Sequence, residues 1–224
     1  MIAAHQTMLA PPALPFDAEV EYLESTGTQY VDTGIVLSVP SDTIYCKMAS
    51  TGTYSNNDDP RRQRAFFGVL DGYGQYDLGA RISWYAGYYG VETDNRVVAS
   101  TAGVHTNEIR GKITEWTLGA NERKVIYNGN TITTSNVVTT SYTYSGSSWI
   151  FGANGTGTGA RLLLACRVYE YKLWRNGTLL QDFQPVRVGS GSSAVGYLYD
   201  RVSGQLFGNA GTGAFTIGPD KNGG

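Results

Sequence analysis

Apolar and polar residues alternate in short runs along most of the chain, with the two-residue period of half-buried β-strands. In the segment "DTIYCKMA", Ile44, Cys46 and Met48 occupy alternate positions and predict one apolar strand face. Gly, Asn, Asp and Ser residues end most of these runs. The pattern predicts strands at Val20–Leu23, Tyr30–Ile35, Thr43–Met48, Ala65–Leu70, Tyr76–Tyr85, Val97–Ser100, Ile109–Leu118, Lys124–Tyr127, Thr131–Thr133, Trp149–Phe151, Leu162–Leu173, Leu179–Phe183, Val195–Tyr199 and Phe215–Ile217.

Two Asn-Gly pairs provide the clearest turn signals. Asn128-Gly129 in "IYNGNTI" and Asn176-Gly177 in "LWRNGTLL" each separate two β-rich runs. Both residue types tolerate the positive φ angles of a two-residue hairpin turn. No stretch shows a sustained helical period, and no repeat of fixed length is visible. We therefore expect an all-β domain, built as a sandwich or jelly roll.

The composition agrees with this fold class. Of 224 residues, 29 are Gly and 16 are Tyr, whereas only 16% are charged. Average usage would give roughly 16 Gly, and charged residues usually make up about a quarter of a chain. The length suits one large all-β domain. A formal net charge of −2 without a Lys/Arg run indicates no nucleic-acid partner. No apolar run reaches membrane-spanning length, so we expect no membrane insertion.

The first segment, residues 1–17, is apolar, Pro-rich and without a strand period. We expect it to be an extended arm that orders on another protein, followed by a sandwich over residues 18–219 and a flexible tail over residues 220–224. The residues expected to make the anchoring contact are Met8, Leu9, Leu14 and Phe16. Because no basic region precedes the apolar residues and prolines interrupt them, we expect no secretory signal peptide here.

The two cysteines, Cys46 and Cys166, each share a face with apolar residues of a predicted strand. We expect two buried free thiols, with a disulfide between them as the alternative.

Motifs near both ends of the chain resemble one family of β-sandwich domains. "YLESTGTQYVDTG" (Tyr22–Gly34), "ACRVYEYKLWRNGTLLQDFQPVR" (Ala165–Arg187) and "AVGYLYDRVSGQLFGNAGTGAFTIGP" (Ala194–Pro219) occur in family order. They are similar to segments of concanavalin A-like (laminin G-like) jelly-roll domains, which occur in bacteriophage structural proteins and in surface proteins of gut bacteria. The resemblance implies an all-β concanavalin A-like sandwich of two antiparallel sheets. Since the motifs are rich in turn-forming residues, we expect them to close the fold, with ligand contact as the alternative.

The resemblance also implies a non-enzymatic virion protein of a tailed bacteriophage, either a decoration protein or a fibre component that binds a receptor. Such a protein is assembled in the host cytoplasm and displayed on the virion surface. Its expected partners are other virion proteins, through the arm, and a host-surface glycan. A homo-oligomer would have to use the sandwich faces or the arm, because no heptad run could build a stalk.

The alternatives are a secreted bacterial carbohydrate-binding adhesin and a glycoside hydrolase. Glycanases with this fold place Glu, Asp and Glu on alternate positions of one strand, so that acid and nucleophile flank the scissile bond. The segment "VETDNRV" offers Glu92 and Asp94 but has Arg96 in the third place. We therefore expect no catalytic residues and no enzyme.

Aromatic residues concentrate in "RISWYAGYYGVETDN". Trp84, Tyr85, Tyr88 and Tyr89 could stack on sugar rings there, and Asn95 could bind sugar hydroxyls. The alternative is that these rings pack in the core or at a subunit interface.

The loop "YSNNDDPRRQR" supplies Asn57, Asp58 and Asp59, whose oxygens suit Ca²⁺. Arg61 and Arg62 offer the carboxylates an alternative partner. Calcium therefore stays open, and no other cofactor is expected.

Overall fold

The structure is a computed structural model that describes residues 13–52, 64–70, 78–83, 88–93, 96–99, 111–119, 123–134, 142–155 and 163–221. Within these residues the regular elements are strands and a short 3-10 turn at Gly191–Ser193. No helix of the described part has the length and apolar character needed to cross a membrane.

The described strands form two sheets. The larger sheet contains β1 (Ala18–Glu19), β2 (Leu23–Thr26), β4 (Asp42–Ser50), β9 (Thr114–Leu118), β10 (Arg123–Tyr127), β11 (Asn130–Thr134), β14 (Ala165–Arg175), β15 (Thr178–Val188), β16 (Val195–Asp200), β17 (Gln205–Phe207) and β18 (Thr216–Ile217). Its main order is β11-β10-β9-β4-β14-β15-β16-β17.

The smaller sheet contains β3 (Val31–Val39), β5 (Arg64–Leu70), β6 (Leu78–Ser83), β7 (Tyr88–Thr93), β8 (Arg96–Ala99), β12 (Tyr142–Ile150) and β13 (Asn154–Gly155). Its main order is β3-β12-β5-β6-β7-β8. The predicted all-β sandwich of two sheets is confirmed.

The core lies between the two sheets, and a register shift on β5 between Ala65 and Phe67 accompanies the burial of the adjacent rings of Phe66 and Phe67. Phe67 on β5 contacts Tyr171 on β14, with ring centroids 5.9 Å apart. Phe66 contacts Trp116 on β9 at 5.7 Å. All four rings are buried. Aromatic side chains each remove a large apolar area from water, so these pairs supply much of the force that holds the sheets together.

Local signals placed the hairpins and the cysteines correctly. Asn128 has a φ of 48° and Asn176 a φ of 49°, and the glycine after each is also at positive φ. Both pairs therefore form the predicted two-residue turns, between β10 and β11 and between β14 and β15. Cys46 and Cys166 are buried free thiols, as expected.

Several predicted strand boundaries were wrong, and two of them show how the chain changes neighbours or ends a strand. The predicted strand Val20–Leu23 is broken, because β1 pairs with β15 whereas β2 pairs with β14 and β18. Between them the chain changes neighbours, and the N–H of Glu21 donates to Pro219 O at 2.8 Å. The predicted strand Ile109–Leu118 becomes the shorter β9, since Gly111 takes a φ of 70° just before it.

The two terminal motifs pack against each other, which is the closure expected from their turn residues. Gln29 is the centre of one contact, and it is buried. Its Oε1 accepts from Ser25 Oγ at 3.0 Å and from the N–H of Thr26 at 2.8 Å. Its Nε2 donates to Ala214 O at 3.1 Å. The side chain thus links the first motif to the last segment of the sandwich.

Asn209 makes the matching contact from the other side. Its Oδ1 accepts from the N–H of Tyr30 at 3.2 Å and from the N–H of Gly211 at 2.8 Å. Thr28 O accepts from the N–H of Thr212 at 3.1 Å. Backbone and side-chain bonds therefore tie the two ends of the family-like region together.

Asp200 organises the "YDRVSG" turn. It is buried, and its Oδ1 accepts from the N–H of Asp182 at 2.9 Å and of Val202 at 3.1 Å. Its Oδ2 accepts from Ser203 Oγ at 2.7 Å. A buried carboxylate needs such donors, so the carboxylate of Asp200 stabilises the turn.

Both ends of the sandwich are joined to the same strand. The N–H of Asp17 donates to Arg187 O at 2.9 Å. Arg187 also makes a paired contact with Asp220, at 2.8 Å from Nε to Oδ1 and 2.7 Å from Nη2 to Oδ2. Asp17 and Asp220, expected in the arm and in the tail, therefore both bond to β15 of the sandwich, and the expected domain boundaries stay predictions.

Candidate functional site

Most of the residues proposed from the sequence lie outside the described part of the chain. These are the aromatic and amide residues Trp84, Tyr85 and Asn95, the calcium candidates Asn57, Asp58 and Asp59, and the anchoring residues Met8 and Leu9. Tyr88 and Tyr89 lie on β7, where their backbones pair with Ser83 and Ile82 of β6. Among the described residues, no group of three or more His, Cys, Asp or Glu side chains could hold a metal ion.

The two described anchoring candidates have different environments. Leu14 is 59% exposed. Phe16 packs edge-on against Tyr199 of β16, with ring centroids 5.0 Å apart. The ring of Phe16 is therefore used within its own sandwich, whereas Leu14 is open to a partner.

The large sheet presents a second surface that combines aromatic and charged side chains. Alternate residues of β4 and β9 face the core and are buried, and the residues between them are half-buried on the outer side. A register shift in β14 between Val168 and Glu170 keeps Tyr171 in the core. We define the platform as the outward residues of β9, β4, β14 and β15: Glu115, Thr117, Thr43, Tyr45, Lys47, Glu170, Lys172, Trp174, Leu179 and Asp182.

Cross-strand register arranges the platform in three rows, because directly opposed residues share a face of the sheet. The rows are Glu115–Lys47–Glu170, Thr117–Tyr45–Lys172–Asp182 and Thr43–Trp174–Leu179. Trp174 and Tyr45 therefore stand on adjacent central strands, with charged side chains in the neighbouring rows.

Ion pairs join the charged residues of the platform. Lys47 Nζ lies 3.7 Å from Glu115 Oε1. Lys172 Nζ lies 2.6 Å from Glu170 Oε1 and 3.9 Å from Asp182 Oδ1. Each exposed pair contributes only about 0–1 kcal/mol to stability. Their main effect is to hold polar groups at set positions on rigid strands.

Tyr45 is a neutral hydrogen-bonding group within this charged surface. Burial raises the pKa of the Tyr45 hydroxyl well above its ordinary value, and the charges of Glu115 and Glu170 raise it further. Both causes act in the same direction, since each disfavours the phenolate. The hydroxyl therefore remains protonated, and it is hydrogen-bonded to Glu115.

A cluster around Arg167 of β14 lies beside the platform. Its Nε donates to Glu24 Oε2 at 2.8 Å, and its guanidinium lies 4.4 Å from the ring centroid of Tyr22. The bond to Glu24 raises the pKa of Arg167. This cation is thus already partnered on two sides.

The sequence analysis did not propose the platform as a site. Its one signal was the polar side of "DTIYCKMA", with Thr43, Tyr45 and Lys47 on alternate positions. Nothing local indicates that β14 lies next to β4, because the two strands are far apart in the chain.

Comparisons with known proteins agree on the fold. No family model matches the sequence, and no curated protein matches it. The structure is similar to a Bacteroides ovatus protein to which carbohydrate binding is attributed, over 91% of this chain and 61% of that one, with a TM-score of 0.55 and 11% identity. It is also similar to the full extracellular region of zebrafish Gpr126/Adgrg6, over 88% of this chain and 26% of that one, with a TM-score of 0.51 and 11% identity.

A third structure, the alginate lyase AlgAT5 of polysaccharide lyase family 7, overlaps over 62% of each chain with a TM-score of 0.33 and 15% identity. That score is too low to support an argument about this chain. The chain spans less than two thirds of the length of each of these proteins. At this level of identity the first two likenesses show the fold alone, an all-β sandwich of two sheets that is consistent with the concanavalin A-like fold.

Proposed function

We propose that this chain is a non-enzymatic carbohydrate-binding domain and that the platform is a binding surface. The observation that carries the proposal is the placement of Tyr45 and Trp174 among fixed hydrogen-bonding groups on central strands of the large sheet. Tyr and Trp combine an apolar face with a polar atom, which suits a ligand that is apolar on its ring faces and polar at its rim. The shared fold of the Bacteroides ovatus protein supports the proposal.

The arrangement of the carboxylates favours binding over hydrolysis. A glycosidase needs two carboxyl groups with the scissile bond between them. Glu170 and Asp182 of the platform both lie within 4.0 Å of the ammonium group of Lys172. The remaining carboxylate, Glu115, is paired with Lys47. The space that a substrate would need between two acids is therefore taken by a cation.

A glycan array with the purified chain tests this function. We expect saturable binding to at least one glycan and a large loss of that binding in Trp174→Ala. Val195→Ala is the matched control, because Val195 is exposed on β16 of the same sheet but outside the platform. Trp84→Ala, run in parallel, tests the aromatic segment predicted from the sequence.

A hydrolysis assay on every bound glycan tests the non-enzymatic part of the proposal. We expect no new reducing ends and no unsaturated products. Catalytic release of either would refute that part. Absence of binding to any glycan by the folded protein would refute the carbohydrate-binding function itself.

Attachment to a virion is a second candidate function, which rests on the family resemblance and on the exposure of Leu14 next to the packed Phe16. We propose that residues before Phe16 fasten the sandwich to a particle. Deleting Met1–Pro15 should leave a folded sandwich that no longer joins the particle. Full incorporation of the truncated chain in an assembly assay would refute this role.

Calcium at Asn57, Asp58 and Asp59 remains a prediction. Repeating the glycan array with Ca²⁺ and with a chelator tests it. We expect a calcium-dependent gain of affinity or thermal stability that Asp58→Asn removes. Equal results in both buffers would refute a bound calcium.

A further inference from the structure

We infer that the platform binds neutral saccharides and discriminates against acidic ones, an inference that rests on the proposed carbohydrate-binding function. The charges of the platform carry the argument. The ten residues that define the platform include three carboxylates and two ammonium groups, Glu115, Glu170, Asp182, Lys47 and Lys172, and each ammonium group is paired with a carboxylate. The surface therefore offers no unpaired ammonium group of its own with which to attract uronates and sulfated sugars.

Neither ammonium group is free to receive an acidic sugar. Lys47 and Lys172 each lie within 4.0 Å of a carboxylate on the platform. Arg201, at the end of β16, is 3.7 Å from Asp182 and 4.0 Å from Glu19. An acidic ligand would have to displace one of these carboxylates from its cation, and each of the carboxylates is carried by a residue of a β-strand.

Two further cations lie at the border of the platform: Arg167, which is bonded to Glu24, and Lys124. Lys124 stands opposite Thr117 on the neighbouring strand β10. When both are counted together with Glu24, four cations face four carboxylates, so this surface carries no excess of positive charge. A binding surface for polyanions normally shows such an excess.

The chemistry of a neutral sugar matches the platform better. Each sugar hydroxyl both donates and accepts hydrogen bonds. The carboxylates of the platform accept, its ammonium groups donate, and the neutral hydroxyl of Tyr45, which is bonded to Glu115, can also accept. An added carboxylate or sulfate only accepts, so it would compete with Glu170 and Asp182 for Lys172. Trp174 supplies the ring face in the adjacent row.

The experiment compares two sets of size-matched oligosaccharides by isothermal titration. The neutral set comes from laminarin, mannan and xylan, and the acidic set from alginate, pectin and heparin. Each titration is run at low and at high salt, because attraction between exposed charges is screened by salt. We expect a neutral oligosaccharide to bind at least about tenfold more tightly than any acidic one, with little salt dependence.

Variants then test the stated cause. Trp174→Ala should weaken neutral binding about fivefold or more, and Val195→Ala should leave it unchanged. The double variant Glu170→Gln/Asp182→Asn frees Lys172. It should gain salt-sensitive binding to the alginate oligosaccharide of at least about threefold. Circular dichroism confirms that each variant is folded.

The outcomes separate this inference from the proposed function. Preferential binding of acidic oligosaccharides overturns the inference and leaves the carbohydrate-binding function in place. Neutral binding that Trp174→Ala does not affect overturns the platform as the site, again without refuting the function. If the folded chain binds no oligosaccharide of either set and no glycan on the array, the function fails and the inference fails with it.

Discussion

Gly211→Ala tests whether the two terminal motifs act as a structural lock. A Cβ at Gly211 would lie 2.2 Å from Thr28 O and 3.1 Å from Gln29 Cα. Both are backbone atoms, so no side-chain rotation can relieve the clash. Residues 209–213 would have to move away from the first motif.

The cost follows from the hydrogen bonds that such a movement breaks. The N–H of Thr212 donates to Thr28 O at 3.1 Å, and the N–H of Ala210 donates to Tyr30 O at 2.8 Å. The bond from Gly211 N to Asn209 Oδ1, 2.8 Å, is also at risk. At roughly 0.5–1.5 kcal/mol each, the loss amounts to about 2–4 kcal/mol in the free energy of unfolding. For a chain of this size that is a fall in Tm of roughly 4–16 °C.

Gly34→Ala is the matched control in the first motif. Gly34 has a φ of 70°, and no heavy atom lies within 4 Å of a Cβ placed there. The cost is then only that of the left-handed backbone, about 1–2 kcal/mol. Urea unfolding followed by circular dichroism, with equal m-values, gives both free energies.

The reasoning fails if Gly211→Ala costs no more than Gly34→Ala, because the clash would then be relieved without breaking the lock. A different result would be more informative still. If Gly211→Ala kept full stability but abolished glycan binding, the motif would be a ligand contact rather than a closure element.

Three further predictions follow from buried groups and from the arm. Arg175→Leu should cost roughly 3–5 kcal/mol of stability, because it leaves the fully buried carboxylate of Asp42 without its paired contacts to Arg175 at 2.7 and 2.9 Å. Adding Asp42→Asn should restore part of that loss. Additive losses in the double-mutant cycle would contradict the pairing. Burial raises the pKa of the Cys166 thiol above its usual 9.0, so the folded state holds this proton longer than the unfolded state. The stability that this group contributes is therefore fully present below about pH 9 and should fall at higher pH by up to about 1.4 kcal/mol per pH unit. Cys166→Ala should flatten the alkaline limb of a plot of urea midpoint against pH. An unchanged limb would assign the loss of stability to other groups. Phe16→Ala should lower stability by about 1 kcal/mol and Leu14→Ala by less than about 0.5 kcal/mol, since only the Phe16 side chain is packed on the sandwich. Equal losses of stability in thermal melts would remove this distinction between the packed Phe16 and the exposed Leu14.

Features that depend on a few neighbouring residues could be predicted from the sequence. The turn at Asn128 needs only positive φ angles, which Asn and Gly adopt at low cost. The burial of Cys46 follows from the alternation of β4, since every second side chain faces the same way. Both predictions were confirmed because no distant part of the chain overrides these preferences.

Features that depend on distant pairing could not be predicted. The apolar run at Val20–Leu23 indicated one strand, but the chain there passes from β15 to β14 and cannot continue the same ladder. Phe16 was assigned to the arm because its neighbours lack a period, whereas Tyr199, far along the chain, offers a packing surface. A strand period says which residues share a face; it does not say which strand lies beside them.

The sequence by itself determined the β class of this protein, its hairpin turns, the burial of its two cysteines and, through motifs at both ends, its resemblance to concanavalin A-like sandwiches. Only the tertiary structure decided that these motifs lock onto each other and that Tyr45, Lys172 and Trp174 share one face of the large sheet. The physical reason is that side-chain period and turn geometry are local properties of the backbone. The register between β4 and β14 is set by the burial of both strands against a common core, which no local segment encodes.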